Sequence, residues 1–243
     1  TDMWRIPFMV TGVKNGKLLA LAATSFEAFV TVDKNMPFQQ NLQTLPIALV
    51  VLATPPATFL VGLVPIASSG ALVAAVAGGA VLLAAVAALT RRVDPGLPPL
   101  ALLVVLWLVL AADIATGGNL QINTVFGYSP IVAGRFAGFG NQAFSMISLA
   151  ALLVGSVFVE RRTAGRARAS TATLVAVAVW FLLTIVLDGH PAMGSDVGGV
   201  LAFVPAATVA LLLFGVVRIC PRLVALIGGA SVAVLPAFAV LDL

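Results

Sequence analysis

The sequence predicts an all-α membrane protein: a polytopic bundle of about seven transmembrane helices, preceded by a short N-terminal cytoplasmic segment of α/β character. Three observations predict it. Of 243 residues, 61% are hydrophobic and only 9% are charged, whereas soluble domains carry roughly 25% charged residues. Mean hydropathy is +1.13. Apolar runs close to the ~20 residues that cross a hydrocarbon core recur from residue 45 to the end of the chain. The excess of Arg and Lys behind the pI of about 10.0 marks cytoplasmic loops in such a chain, and no nucleic-acid partner is expected. Cys220 is the single cysteine, which excludes an intramolecular disulfide and a thiolate metal cluster. No charged n-region with a small-residue cleavage site opens the chain, so no removable signal peptide is expected.

Residues 1–44 differ from the rest. They hold all three lysines (Lys14, Lys17 and Lys34) and seven of the 22 charges. "KNGKLLALAATSF" reads as a short amphipathic helix, "EAFVTVDKN" as a strand and turn, and "PIALVVL" as a second apolar run, together a strand–helix–strand fragment. Residues 12–52, with "TVDKN" followed by "QQNL", resemble the C-terminal half of a PIN-like toxin or nuclease domain. Such nucleases hold Mg²⁺ or Mn²⁺ on clustered carboxylates, and the resemblance implies that Asp33 is one ligand. The first acidic strand of that family is missing, and Lys17 stands where the family carries Glu. The segment therefore reads as a remnant, joined to a membrane domain at residues 45–243.

Seven candidate spans follow, at about 45–67, 70–90, 98–117, 141–160, 171–188, 197–217 and 223–241. Pro55-Pro56 should kink or break the first. Arg91-Arg92 close the second span, and Glu160-Arg161-Arg162 with Arg166 and Arg168 separate the fourth from the fifth. Arg218 and Arg222 flank the turn between the sixth and seventh. Alternating spans place all of these on one face together with the N-terminal segment, which the positive-inside rule assigns to the cytoplasm of a bacterial plasma membrane. Twelve of thirteen basic residues fall there, and Arg135 alone falls opposite.

The opposite face gathers the polar chemistry. The third span ends "AADIATGGN", with Asp113 near the boundary and Asn119 beyond it. The loop "FGYSPIVAGRFAGFG" and the following "NQAF" supply Tyr128, Arg135, Asn141 and Gln142. "LDGHPAMGSDVGG" adds Asp188, His190 and Asp196, so three of the six carboxylates after residue 45 and the single histidine share this side. The glycine-rich loop is too apolar to lie in water. It is expected to dip back as a re-entrant segment, with Gly134, Gly138 and Gly140 permitting tight turns. Arg135 beside the N-terminus of the fourth span suits a phosphate or carboxylate. The alternative is a structural ion pair of Arg135 with Asp113, Asp188 or Asp196. His190 is either a general base oriented by Asp188 or Asp196, or an exposed loop histidine. "GRFAG" and "GSDVG" also fit small-residue helix packing, and Tyr128 and Trp180 fit interfacial anchors. The spacing of Asp188, His190 and Asp196 is not a recognised metal-ligand pattern.

"SPIVAGRFAGFGNQAF", followed two spans later by "DGHPAMGSDVGGVLAFVP", makes residues 55–243 resemble uncharacterised actinobacterial polytopic envelope membrane proteins. A looser resemblance joins Arg135 to Asn141, and Gly194 to Gly199, with O-antigen ligases and polymerases, although the usual "GNPN" is "GNQA" here. That likeness implies glycan transfer on the extracytoplasmic face from a lipid carrier. Arg135, Asn141, Gln142, Asp113 and Tyr128 would bind the ligand, and His190, Asp188 and Asp196 would carry catalysis. A transporter or flippase-like module with broken helices near Pro55, Pro56 and Pro205, or a non-catalytic scaffold, stands beside it. The expected partners are membrane lipid and a lipid-linked glycan or other phosphate-bearing lipid; no cofactor is named by the sequence.

Overall fold

The computed structural model describes residues 46–122, 124–127, 138–163, 168–216, 222–223 and 225–229. Asp33, Lys17 and the remainder of segment 1–45, together with Tyr128, Gly134 and Arg135, lie outside the described residues. Every regular element among the described residues is helical: α1 (Pro46–Val61), α2 (Ser69–Leu89), α3 (Leu97–Ala115), α4 (Asn119–Ile122), α5 (Asn141–Thr163), α6 (Thr171–Gly189) and α7 (Val197–Phe214). Five of them, α2 extended to Arg92, α3, α5, α6 and α7, are long and apolar enough to cross a membrane. The chain is thus a multi-pass membrane protein by the length and composition of its helices. Of the expected seventh span, residues 222–223 and 225–229 are helical and 230–243 lie outside the described residues.

The helices start where sequence chemistry provides a cap. Ser68 Oγ accepts the Ala71 N–H ahead of α2, and Ser170 Oγ accepts the Thr173 N–H ahead of α6, each satisfying one of the orphan donors of a first turn. Pro98 sits in the first turn of α3, where its missing N–H costs nothing.

Two expectations change at α1. The apolar run "PIALVVL", read as part of a strand–helix–strand fragment, is the opening of a helix. A short apolar run is compatible with either state, and its continuation through Ala53 and Thr54 decides for the helix. Pro55-Pro56 also fail to break it, since α1 runs unbroken through both. The carbonyls of Val51 and Leu52 lose their i+4 donors to these prolines, while the Thr54 and Thr58 hydroxyls donate to the Val50 and Thr54 carbonyls along the same stretch. The helix is nevertheless only 16 residues long, shorter than the span expected at 45–67.

In lipid the hydrophobic effect does not draw helices together, so close packing and buried polar bonds must do so. One cluster is built on alanine: Ala53 and Ala57 of α1 with Ala80, Ala84 and Ala87 of α2, closed by Leu49 and Leu102. The larger cluster joins α3, α5, α6 and α7 through Leu106, Leu110, Ile147, Phe181, Phe203 and Ala207. Val73, Val81, Leu82 and Val86 of α2 are exposed, as a lipid-facing helix requires. Between α3 and α6, Trp107 Nε1 donates to Thr184 Oγ1 at 3.0 Å, and the Trp107 and Trp180 rings meet at a tilt of 37° with centroids 4.2 Å apart. Trp180 Nε1 in turn donates to the Ala151 carbonyl at 3.0 Å. Trp180 therefore lies at the middle of α6 as a packing and bonding residue, and not at the interface as an anchor.

Candidate functional site

Antiparallel packing of consecutive helices gathers the ends of α3 and α6 with the starts of α5 and α7. Asp113, in the last turn of α3, is 3% exposed. Its Oδ1 accepts the Leu120 N–H at 2.8 Å, and its Oδ2 accepts both the Gln121 N–H and Gln121 Nε2 at 3.2 Å. Gln121 is itself 1% exposed and accepts the Gly140 N–H through Oε1 at 2.9 Å. One carboxylate thereby caps the single-turn helix α4 and, through one amide, holds the entry to α5. Both Asp113 oxygens are occupied by donors of its own chain. Gln121 went unnoticed in the sequence, where one amide in a four-residue helix leaves no periodic signal.

A second knot lies beside it. The Phe139 N–H donates to the Gly194 carbonyl at 3.1 Å, fastening the segment before α5 to the α6–α7 connection. Gly138 has φ +89°, a left-handed conformation, and a Cβ there would overlap the Gly194 carbonyl oxygen. Gly194 is equally constrained: a Cβ would overlap the Asp188 carbonyl oxygen and reach the Leu187 oxygen at 2.5 Å. The Gly194 N–H donates to the Leu187 carbonyl and the Asp196 N–H to the Asp188 carbonyl, both at 2.9 Å. Neither glycine packs one helix on another. Gly138 and Gly194 serve the connections, which corrects the small-residue-packing alternative at these two positions.

Asp188 and Asp196 are 1% and 5% exposed. Asp188 occupies the last turn of α6, and Asp196 is the N-cap residue of α7, without a side-chain capping bond to its own helix. The Asp188 carboxylate lies against the first turn of α7, so that a Cβ at Gly199 would meet Oδ1 at 2.8 Å. A carboxylate at the N-terminal end of a helix is favoured by the helix dipole. His190, half-buried, follows α6. Its Nδ1 accepts the Ala192 N–H at 3.1 Å, which in the neutral ring leaves the proton on Nε2 as a donor. Asn141 and Gln142 are exposed in the first turn of α5.

The structure thus brings Asp113, Asp188, His190, Asp196, Asn141 and Gln142 to one end of the bundle. Asp113 stands in the α4 knot, Asp188 and Asp196 in the α7 knot, and Asn141 and Gln142 on the rim. Among the described residues, no group of three or more His, Cys, Asp or Glu side chains is placed to hold a metal ion. No known family, curated protein or solved structure matches this chain.

Proposed function

We propose that this protein is a transferase working at the extracytoplasmic face of a bacterial plasma membrane, on a lipid-linked cell-envelope glycan or another phosphate-bearing lipid intermediate. The observation that carries the reading is the burial of Asp188 and Asp196 beside His190 at the mouth of a membrane bundle. Ionisable groups are costly at that depth and tend to mark function. Arg135, three residues before Gly138 in sequence, supplies the cation that a diphosphate needs. His190 adds the Nε2–H as a second donor to the diphosphate. The acceptor hydroxyl forms its new bond to the sugar as the bond to the lipid diphosphate breaks, and its proton passes to Asp188 or Asp196. Asn141 and Gln142, exposed at the start of α5, orient the acceptor. The looser resemblance of Arg135 to Asn141, and of Gly194 to Gly199, to O-antigen ligases and polymerases supports this chemistry.

Orientation follows from the arginines of the opposite end, which the positive-inside rule assigns to the cytoplasm with the N-terminus. With Cys220 replaced by Ser, a cysteine at Asn119→Cys is expected to react with a membrane-impermeant maleimide in intact spheroplasts. One at Arg92→Cys is expected to react only after lysis.

The activity test is transfer of label from a polyprenyl-diphosphate oligosaccharide in membrane vesicles. Arg135→Ala and His190→Ala are each expected to lower transfer about a hundredfold at unchanged protein level. Undiminished transfer by both variants rejects the proposal. A transport or flipping role is the second reading, favoured by the burial of Asp188 within a spanning helix. It calls for broken helices at Pro55, Pro56 and Pro205, whereas α1 and α7 run through these prolines unbroken.

A further inference from the structure

At the opposite end of the bundle an apolar groove opens between α5 and α6. Val154, Gly155, Phe158, Ala176, Val177 and Trp180 line it, and it encloses about 200 Å³. Gly155 creates the depression. A Cβ there would meet the Phe181 ring at 3.0 Å and Val177 at 3.1 Å, so the two helices approach where a larger residue would hold them apart. Trp180, tied to Ala151, closes the inner limit near mid-membrane.

The groove has a direction. Val154, Phe158 and Arg162 follow one another at i, i+4 and i+8 and share one face of α5. The Arg162 guanidinium lies over the Phe158 ring at 5.3 Å from its centroid. A cation stacked on an aromatic keeps most of its hydrogen-bond donors for another partner. The neighbouring Arg161 is engaged by Asp94 at 3.1 Å, so it is partly neutralised. No carboxylate pairs with Arg162 among the described residues, and Glu160, two positions away, projects to the other side of the helix. An apolar trough thus ends at an exposed cation at the level where membrane headgroups lie.

We propose that this groove is a binding site for an anionic phospholipid, with one acyl chain along Val154, Gly155, Phe158, Ala176 and Trp180 and the phosphate at Arg162. Charge complementarity selects the occupant. Arginines at the margin of spanning helices attract anionic headgroups, while a zwitterionic lipid offers a phosphate whose charge its own headgroup cation offsets and so engages the guanidinium more weakly. The site lies at the end of the bundle remote from Asp188 and His190 and stands independently of the transferase reading.

The test uses the whole chain in liposomes containing brominated-acyl phosphatidylglycerol or brominated-acyl phosphatidylcholine. The groove signal is the tryptophan quenching that disappears in Trp180→Phe. The half-quenching mole fraction is expected to be about fivefold lower for phosphatidylglycerol, the factor one basic residue contributes near a membrane surface. Arg162→Gln should erase that preference and Arg162→Lys should keep part of it. Ala176→Phe should reduce quenching by both lipids, whereas Val179→Phe, on an exposed position outside the groove, should not. Native mass spectrometry of the purified protein, counting retained phosphatidylglycerol in the parent and in Arg162→Gln, gives a readout that needs no Trp180 substitution. Equal quenching by both lipids in the parent, or an undiminished preference and retained lipid in Arg162→Gln, overturns the proposal.

Discussion

The two ends of this bundle are held by opposite means. At the end carrying Asp113, Asp188 and Asp196, the charges are buried, and the connections are locked by backbone bonds and by glycines that admit no side chain. At the other end most of the described charges are exposed, and the Asp94–Arg161 pair, 3.1 Å apart, has side chains 45% and 33% exposed. Exposed pairs share their field with water and contribute little, whereas buried carboxylates and their donors are costly to separate. The contrast teaches where the fold spends its specificity. One end is shaped by close contact around buried charge. The other carries charge with little constraint, as suits orientation and lipid headgroups.

The comparison can be broken most forcefully at Gly194. Gly194→Val forces a side chain into the Asp188 carbonyl and is expected to destabilise by about 3 kcal/mol or more. The readout is a fall in the thermal midpoint of the detergent-solubilised protein, followed by size-exclusion chromatography. Next is Asp113→Ala, which strips the acceptor from Leu120 N, Gln121 N and Gln121 Nε2. A cost of about 2–3 kcal/mol is expected, with Asp113→Asn intermediate because it keeps one acceptor oxygen. A midpoint for Asp113→Ala equal to the parent's would remove the capping role.

Between the ends, Thr184→Val leaves the buried Trp107 Nε1–H without its acceptor and should cost about 1 kcal/mol, the scale of interhelical hydrogen bonds in membranes. The Trp107 emission maximum should shift with it. Smallest of all, Arg161→Ala should change stability by less than about 1 kcal/mol and only at low salt. If Arg161→Ala proved as costly as Asp113→Ala, the asymmetry between the ends would be lost.

Much of this asymmetry was legible before any coordinates. The lengths of the apolar runs place α2, α3, α5, α6 and α7 within a few residues of where they lie, because a run of about 20 apolar residues leaves little choice. Alternation of spans then carries Asp113, Asp188, His190 and Asp196 to a common side without any knowledge of contacts. What could not be read is which of these groups meet. Asp113 ends on Gln121, an amide that forms no pattern, and Trp107 meets Thr184 across 77 residues of chain. Gly138 and Gly194 looked like helix-packing glycines, since spacing alone cannot tell a groove between helices from a left-handed residue, as at Gly138, or from a connection with no room for a side chain, as at Gly194. The unbroken α1 escaped for a similar reason: a proline pair weakens a helix, but the surrounding packing decides whether it ends.

The shortness of α1 has a consequence of its own. Sixteen residues rise roughly 24 Å, against about 30 Å of hydrocarbon. The chain itself covers part of that shortfall, since Phe126 rests on Phe59 at 6.0 Å between ring centroids and Leu120 and Thr124 crowd Gly62 at the tip of the helix. The segment after α4 therefore packs over the tip of α1 and stands where acyl chains would otherwise meet a short helix.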